Sequence, residues 1–344
     1  MNDRIRAWLR LGPRVETTPA TLTRGRVDHV IILDGTMSSL APGRETNAGL
    51  LYKLLCEVAV RQRLSLRYEA GVQWDSWTNT RDVIEGRGIN RQIRRVYGFL
   101  ASRYRPGDRI YLFGYSRGAY AARSLAGFIG AVGLLRAEKA TVRNIRLLYR
   151  GYQTGRVRPV LATFSERHCH PGAEIEMVGV WDTVKALGLR APVIWRWADA
   201  AHEFHDHHLN RHVKRGYHAL ALDETREAFA PVLWSTDPDW PGEMEQVWFR
   251  GAHGDIGGQL GGFDAARPLA NIPLVWMLER AAACGLPLPS GWAARFPLDA
   301  GAPSVGTWRG WGKFFVARRR RVPLRDPSEA LHSSVTDGQV GVAV

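Results

Sequence analysis

The sequence predicts an α/β fold in which a mostly parallel central sheet carries helices on both faces, with further helical insertions. Two observations lead to this prediction: apolar runs of strand length alternate with longer segments of helical periodicity, and Gly, Pro or Asp turn signals separate them. A length of 344 residues with 45% hydrophobic content is enough for a sizeable core. We expect a polar, Pro-containing lead over residues 1–26 and a single domain over residues 27–344.

The first predicted element is a buried strand in VDHVIILDGT, residues 27–36, where four apolar residues precede the turn signal Asp34-Gly35. The elements predicted next are a helix over 46–62, a strand with a Gly turn over 64–73, a helix over 88–104 and a strand over 109–113. Thr46 or Asn47 is the expected N-cap of the first of these helices.

The alternation continues in the second half of the chain. The predicted elements are helices near 117–131 and 138–150, a strand that begins at 173, a long His-rich and helical section to about 230, a strand that ends at Gly251, and a helix over 268–285. The last helix has a proline in its first turn, a favoured position. Residues 286–344 form a Gly-, Pro- and Arg-rich tail for which no element is predicted.

The composition restricts partners and compartment. A formal charge of +14 favours anionic partners, but only five of the 47 basic residues are Lys, and Arg richness can also reflect the nucleotide composition of the source. The three cysteines are far apart, which predicts a reducing compartment without a disulfide framework. We find no signal peptide and no apolar run of membrane-spanning length, and expect a cytoplasmic protein in the producing cell.

The stretch GYSRG, residues 114–118, matches G-x-S-x-G, a strand-to-helix turn that exposes a serine hydroxyl. An apolar strand precedes Gly114, and small residues after Ser116 allow the next helix to pack closely. These are the two structural conditions for the motif, so Ser116 is a candidate nucleophile. A glycine turn with a surface serine is the alternative.

A nucleophilic serine needs a base and a group that orients the base, and in α/β-hydrolases these follow in the order Ser, acid, His. Asp182 in GVWDTV and His253 in RGAHGD follow predicted strands, where active sites of open α/β sheets gather. Asp182 could instead cap a helix, and His253 could pair with Asp255, which more simply shapes the glycine-rich loop. His332 is a weaker candidate base, because no strand clearly precedes it.

The oxyanion of an acyl-transfer intermediate needs backbone N–H donors. Arg117 is expected to supply one, and Gly35 or Thr36, after the first strand, the other. The side chain of Arg117 could bind a phosphate or be an ordinary surface arginine.

The His-rich stretch 201–218 raises the question of a metal site, because His208 and His212 are spaced as on a metal-binding helix face. No HExxH motif is present and no carboxylate or cysteine completes a set, and HCH at 168–170 is equally inconclusive. We predict neither a metal nor another cofactor.

Residues 307–321, TWRGWGKFFVARRRR, mix aromatic residues with arginines. Such a mixture suits a surface that meets anionic lipid, or a nucleic-acid patch. Core aromatics followed by a solvated basic segment are the simpler interpretation.

Several segments together resemble an α/β-hydrolase family whose understood members are phospholipase effectors of bacterial type VI secretion. They are the run from Tyr104 to Leu135 around GYSRG, the opening DGT with a later TN, GVWDTV, YHALALDETREAFAPVLW, and WFRGAHGDIGG followed by LANIPLVWML. The resemblance is clearest over 27–285. It implies a Ser-Asp-His triad at Ser116, Asp182 and His253 and hydrolysis of lipid acyl esters.

The chain departs from the family pattern in two places. The opening reads DGTMSS instead of continuing with an aromatic residue and an asparagine, and Gln259 interrupts the glycine run after Asp255. The resemblance also implies a lipid substrate, export by type VI secretion and a secretion or immunity partner. Peripheral contact with anionic membrane is expected from the aromatic and basic residues 307–321 instead, and nucleic acid is not expected as a partner.

The function predicted from these features is serine-dependent hydrolysis of lipid esters. One rival is a catalytically idle basic protein that binds anionic membrane or nucleic acid. A second is a metal-dependent hydrolase that uses the His-rich segment. The order Ser, Asp, His favours the serine hydrolase over both.

Overall fold

The computed structural model describes residues 16–17, 25–71, 87–154, 159–184, 208–309 and 315–335. The strands are β1 Glu16–Thr17, β2 Asp28–Leu33, β3 Leu64–Glu69, β4 Arg109–Tyr115, β5 Leu134–Leu135, β6 Cys169–His170, β7 Ile175–Trp181, β8 Arg215–Ala221, β9 Glu243–Phe249 and β10 Glu329–Leu331. The helices are α1 Asn47–Val58, α2 Arg87–Ala101, α3 Arg117–Val132, α4 Val142–Gln153, α5 Pro159–His168, α6 His253–Gly257 and α7 Arg267–Ala283.

Eight of these strands form one sheet in the order β1-β3-β2-β4-β7-β8-β9-β10. Every neighbouring pair is parallel except β1 with β3, which is antiparallel. The carboxyl ends of β4, β7, β8 and β9 therefore meet at one edge of the sheet, where the segments that follow these strands come together.

The two faces of the sheet are covered by different helices, as the alternation of side chains along β2 shows. Ile31 and Leu33 belong to a core cluster with α2, α3, α4 and α5. Val30 and Ile32 belong to a second cluster with α1 and α7. A parallel strand buried on both faces reads as a continuous apolar run. These features confirm the predicted α/β class with helices on both faces.

Most predicted elements are present, with small shifts at their ends. The helix predicted over 46–62 ends at Val58, and Thr46 is its N-cap, since its hydroxyl accepts from the Gly49 N–H. Two residues of the predicted lead, Glu16–Thr17, pair with β3. The tail after residue 285 supplies β10, which pairs parallel with β9.

The section predicted as His-rich and helical up to about 230 is the main correction. Residues 215–221 form β8, a buried strand in the middle of the sheet, and Glu227–Phe229 form only one turn of 3₁₀ helix. Its earlier part, 185–207, lies outside the described residues, as do parts of the lead and of the tail. Within the described ranges, no helix is both long and apolar enough to cross a membrane.

Candidate active site

Ser116 stands at a sharp turn between β4 and α3. Its φ of 58° is in a region that residues other than glycine rarely adopt. A Cβ at Gly114 would lie 2.5 Å from the Gly118 carbonyl oxygen, and one at Gly118 would lie 2.0 Å from the Leu33 carbonyl oxygen. Both glycines are therefore needed for the close approach of helix and strand that holds the serine in this strained turn.

Asp182 emerges beside Ser116, because β4 and β7 are neighbours and Tyr115 is the register partner of Trp181. Its φ is 39°, so the residue after β7 is also in an unusual backbone conformation. The loop that follows is held by His218 of β8, whose Nε2 accepts from the Thr183 N–H at 3.1 Å while its Nδ1 faces Gln246 Oε1 at 3.3 Å. Burial lowers the pKa of His218 to about 3, so this histidine is neutral.

His253 is the first residue of α6, after β9, and it bridges the other two side chains. Its Nδ1 lies 2.5 Å from Asp182 Oδ2, and its Nε2 lies 2.9 Å from Ser116 Oγ. A carboxylate can only accept, so Nδ1 carries the proton and Nε2 is left to accept from the serine hydroxyl. The three side chains thus form a hydrogen-bonded relay, and all three residues are buried.

The imidazole of His253 is fixed from several sides. The rings of Tyr115 and Phe229 pack against it, with centroid distances of 4.9 and 4.8 Å. Its backbone N–H donates to Glu224 Oε2 at 3.2 Å. Burial alone would raise the pKa of Glu224, but hydrogen bonds from Arg226 outweigh it and lower the pKa, so this carboxylate stays ionised beside the histidine.

Arg321 was missed by the sequence analysis, and it contacts the acid of the relay directly. Its Nη1 donates to Asp182 Oδ1 at 2.6 Å and its Nη2 to Asp182 Oδ2 at 3.0 Å, and the Arg321 side chain is only 5% exposed. The same Nη1 and Nη2 also donate to the carbonyls of Ala221 and Phe229, respectively. Asp182 Oδ1 also accepts from the Ala221 N–H at 3.0 Å.

Burial alone would raise the pKa of Asp182. The charge of Arg321, together with the hydrogen bond from His253, outweighs this and holds the pKa well below the usual value for an aspartate. Asp182 is therefore a fully buried carboxylate that remains ionised, with both oxygens engaged by donors.

The loop after β2 carries Gly35 and Thr36, two of the three candidate oxyanion donors. The Gly35 N–H donates to Asp34 Oδ1 at 2.6 Å and is already engaged. Asp34 is itself buried and also accepts from the hydroxyls of Thr46 and Tyr68, both at 2.6 Å. This network fixes the loop to α1 and β3. Because the Gly35 N–H is already bonded, the Thr36 N–H is the remaining candidate oxyanion donor of this loop.

Gln259, one of the departures from the family pattern, contacts the same loop. Its Nε2 donates to the Thr36 carbonyl at 2.9 Å, and its Oε1 lies 3.5 Å from the Tyr115 hydroxyl. Gln259 therefore holds the backbone that presents the Thr36 N–H. Arg117, the other expected donor, is the first residue of α3, where backbone N–H groups have no partner within the helix.

The other candidate residues lie elsewhere. Asp255 accepts from the Ala252 N–H, Ser304 and the Val305 N–H, so it shapes the loop and has no bond to the His253 ring. His332 does follow a strand, β10, but its ring stacks on Phe249 and its Nδ1 bonds to Ser334.

The metal hypothesis rested on a helical spacing that the structure does not have. His208 and His212 lie in the turns before β8, and His208 faces the Ser235 carbonyl. In the part of the chain that the structure describes, no three His, Cys, Asp or Glu side chains gather at a possible metal site.

Several solved structures and one curated protein are similar to this chain. An uncharacterized protein from Pseudomonas aeruginosa aligns with 80% of this chain and 49% of its own, with 18% identity and a TM-score of 0.49. The Tle1 effector bound to the VgrG spike from the type 6 secretion system aligns over 68% and 51%, with 20% identity and a TM-score of 0.39. An esterase from Thermogutta terrifontis aligns over 80% and 91%, with 12% identity and a TM-score of 0.42.

A further relative is an uncharacterized protein from Saccharomyces cerevisiae, 26% identical over 248 residues, which are 62% of this chain and 33% of that protein. The chain thus spans a third of the yeast protein and about half of the Pseudomonas protein and of the Tle1 effector chain. The fold is α/β-hydrolase-like, with its buried Ser-His-Asp relay at the carboxyl edge of a mostly parallel sheet. The sequence model of the T6SS phospholipase effector Tle1-like catalytic domain matches residues 28–280, most of the chain, and the protein belongs to this family.

Proposed function

We propose that this chain is the catalytic domain of a serine-dependent hydrolase that cleaves carboxylic esters of lipids, in the manner of a phospholipase acting on an acyl ester. The observation that carries the proposal is the relay of two hydrogen bonds from Ser116 through His253 to Asp182. Membership of a phospholipase effector family supports a lipid as the substrate.

In this proposal Ser116 Oγ attacks the acyl carbon while His253 Nε2 takes the hydroxyl proton. The tetrahedral intermediate collapses as His253 returns that proton to the oxygen of the leaving alcohol, and an acyl-serine remains. A water molecule then attacks the acyl carbon, with His253 again as the base, and releases the fatty acid and free Ser116. Asp182 stabilises the imidazolium that forms in each half of the reaction.

The backbone N–H groups of Arg117 and Thr36 are the proposed oxyanion donors. A donor at the first residue of a helix also benefits from the positive end of the helix dipole. Gln259 and Asp34 hold the loop of Thr36, and a donor that is fixed before the reaction needs no reorganisation during it.

Arg321 is the proposed positioning residue for the acid of the triad. Its two parallel hydrogen bonds fix the plane of the Asp182 carboxylate, and that plane sets the direction of the imidazole. Because Arg321 lies beyond the 28–280 family match, we infer that the catalytic unit extends over residues 27–335.

The family also suggests a route to the substrate. We propose that the protein is exported by type VI secretion and travels with a carrier such as the VgrG spike that binds the Tle1 effector. Co-purification with a VgrG protein of the same source tests this, and secretion that persists when the secretion system is deleted contradicts it.

The test of the enzymatic proposal compares Ser116→Ala with Ser102→Ala, an exposed serine at the end of α2. Both are assayed on a soluble nitrophenyl ester and on phospholipid vesicles, with lipids and released fatty acids identified by mass spectrometry. We expect Ser116→Ala to lose activity by a factor of about 10⁶ and Ser102→Ala to keep it. Hydrolysis that survives in Ser116→Ala overturns the proposal.

A further inference from the structure

Residues 315–325, which we name the strap, cross the protein beside the active site. Near one end the strap pairs with the segment after β8: the Arg319 N–H donates to the Thr225 carbonyl at 2.7 Å, and the Glu227 N–H donates to the Ala317 carbonyl at 3.1 Å. At its other end Glu329 accepts from the N–H groups of Leu324 and Arg325. Between these points Arg321 points inward to Asp182, so the strap is held at a fixed position.

The opposite face of the strap is both apolar and basic. Val316 is 85% exposed, Leu324 53% and Val322 38%, and Trp308, whose ring lies under the Arg318 guanidinium at 3.7 Å, is 61% exposed. Arg319, Arg320 and Arg325 are exposed among them. The sequence from 300 to 325 contains no Asp or Glu, so no acidic residue of this segment neutralises these cations.

This surface is close to the reacting groups. The ring of Phe315 at the start of the strap lies 5.4 Å from the ring of Phe229, and Phe229 lies 4.8 Å from the imidazole of His253. Two aromatic contacts therefore connect the start of the strap with the proposed catalytic base.

We propose that the exposed face of the strap, together with Trp308, is a docking surface for an anionic phospholipid bilayer. Docking there brings the site of Ser116 to the lipid–water interface, and in this respect the inference rests on the proposed function. Exposed arginines attract anionic headgroups, and each contributes to the affinity. Entry of exposed Trp, Val and Leu side chains into the headgroup region lowers the free energy further.

The exposed apolar side chains of this surface favour a lipid bilayer over nucleic acid as its partner. Arginines serve either polyanion, but a phosphate backbone offers nothing to a valine that is 85% exposed or to a leucine that is 53% exposed. A bilayer binds both kinds of side chain at once, and Trp and Arg are side chains typical of interfacial surfaces.

The binding test uses the Ser116→Ala protein, so that lipid is not consumed, and vesicles of phosphatidylglycerol and phosphatidylcholine. Replacement of Arg319 and Arg320 by Gln removes two cations, and we expect partitioning to weaken about 30-fold. The matched control replaces Arg143 and Arg146 by Gln. This second exposed basic pair lies on α4, a helix that packs with α2 and α3. We expect that pair to change partitioning less than about three-fold.

A second pair of variants tests the apolar contribution. Val316→Asp is expected to weaken vesicle binding at least as much as the loss of one arginine, whereas Val160→Asp on α5, where Val160 is 78% exposed, is not. Both positions are exposed, so neither change disturbs the core, and circular dichroism checks the fold.

The outcomes separate this inference from the proposed function. Weaker vesicle binding by the strap variants, with binding that falls as salt rises, supports it, provided that the same substitutions made with Ser116 intact leave turnover of the soluble ester unchanged. Three results overturn it: an equal loss of vesicle binding when the α4 pair is replaced, no preference for phosphatidylglycerol vesicles over pure phosphatidylcholine, or tighter binding to duplex DNA than to the vesicles. Loss of soluble-ester turnover in Ser116→Ala bears only on the proposed function.

Discussion

Arg321 is the residue whose replacement tests the structure most sharply, because its guanidinium is buried and holds a buried carboxylate. Arg321→Met keeps much of the side-chain volume but removes the ion pair and leaves the carbonyls of Ala221 and Phe229 without these donors. Removal of one partner of a buried pair costs about 3–5 kcal/mol in the free energy of unfolding. Arg320→Met, an exposed neighbour, should change it by less than about 0.5 kcal/mol.

The difference between wild type and Arg321→Met should depend on pH in a defined direction. Arg321 lowers the pKa of folded Asp182, so the stabilisation it provides is present above the unfolded pKa of about 4 and is lost as the pH falls toward the folded pKa. We expect the gap in unfolding free energy to be largest near pH 7 and to narrow below about pH 4. Urea denaturation followed by Trp fluorescence at several pH values measures it.

Two results would refute this reasoning. Equal unfolding free energies for Arg321→Met and Arg320→Met at pH 7 would show that the buried pair contributes nothing. A gap that stays constant down to pH 3 would show that its effect does not involve the ionised carboxylate of Asp182. Arg321→Lys keeps the charge but not the two parallel hydrogen bonds. We expect it to retain part of the unfolding free energy that Arg321→Met loses, whereas its kcat should fall, because the plane of the Asp182 carboxylate is no longer fixed.

Two further predictions concern the turns that present the proposed catalytic groups. Gln259→Ala frees the Thr36 carbonyl, and we expect kcat to fall by up to about 10²-fold with little change in KM; steady-state kinetics with an unchanged kcat would contradict the role of Gln259 in the oxyanion loop. Gly118→Ala places a Cβ 2.0 Å from the Leu33 carbonyl oxygen, and we expect it to lower the free energy of unfolding by about 3 kcal/mol. In the control, Gly98→Ala in α2, the new Cβ meets only the end of the Ile145 side chain, so the free energy of unfolding should be nearly unchanged. Thermal melts of both variants measure the difference.

The sheet and the three candidate triad residues were predictable because both depend on local patterns. Buried parallel strands read as apolar runs, and the residues after such runs gather at one edge of the sheet. This placed Ser116, Asp182 and His253 together before any contact was known, although their catalytic roles remain predictions.

Strand β8 was missed because its sequence, RGYHALA, does not look like a buried strand. It lacks β-branched residues, which are enriched in strands, and histidine is less often buried than the apolar residue types. In the fold His218 is buried and neutral, and its two ring nitrogens are satisfied by Thr183 and Gln246. The loop after β7 and the neighbouring strand β9 supply these partners, so the local pattern could not reveal them.

Arg321 and Gln259 could not be found from the sequence for a related reason. Arg321 contacts Asp182 across 139 positions and Gln259 contacts Thr36 across 223. A basic run normally forms a solvated surface, and nothing in RRRR distinguishes the buried arginine from its exposed neighbours. A weak signal for Gln259 was present, because it is a polar residue that interrupts a glycine run.

Covalent labelling by a fluorophosphonate, a reagent that reacts with an activated serine, tests directly whether Ser116 is the nucleophile. The mapped peptide should carry the label on Ser116, labelling should be lost in Ser116→Ala, and it should slow greatly in His253→Ala, where no base takes the hydroxyl proton. Equal labelling of wild type and His253→Ala, or a label on another serine with Ser116 untouched, would contradict the account.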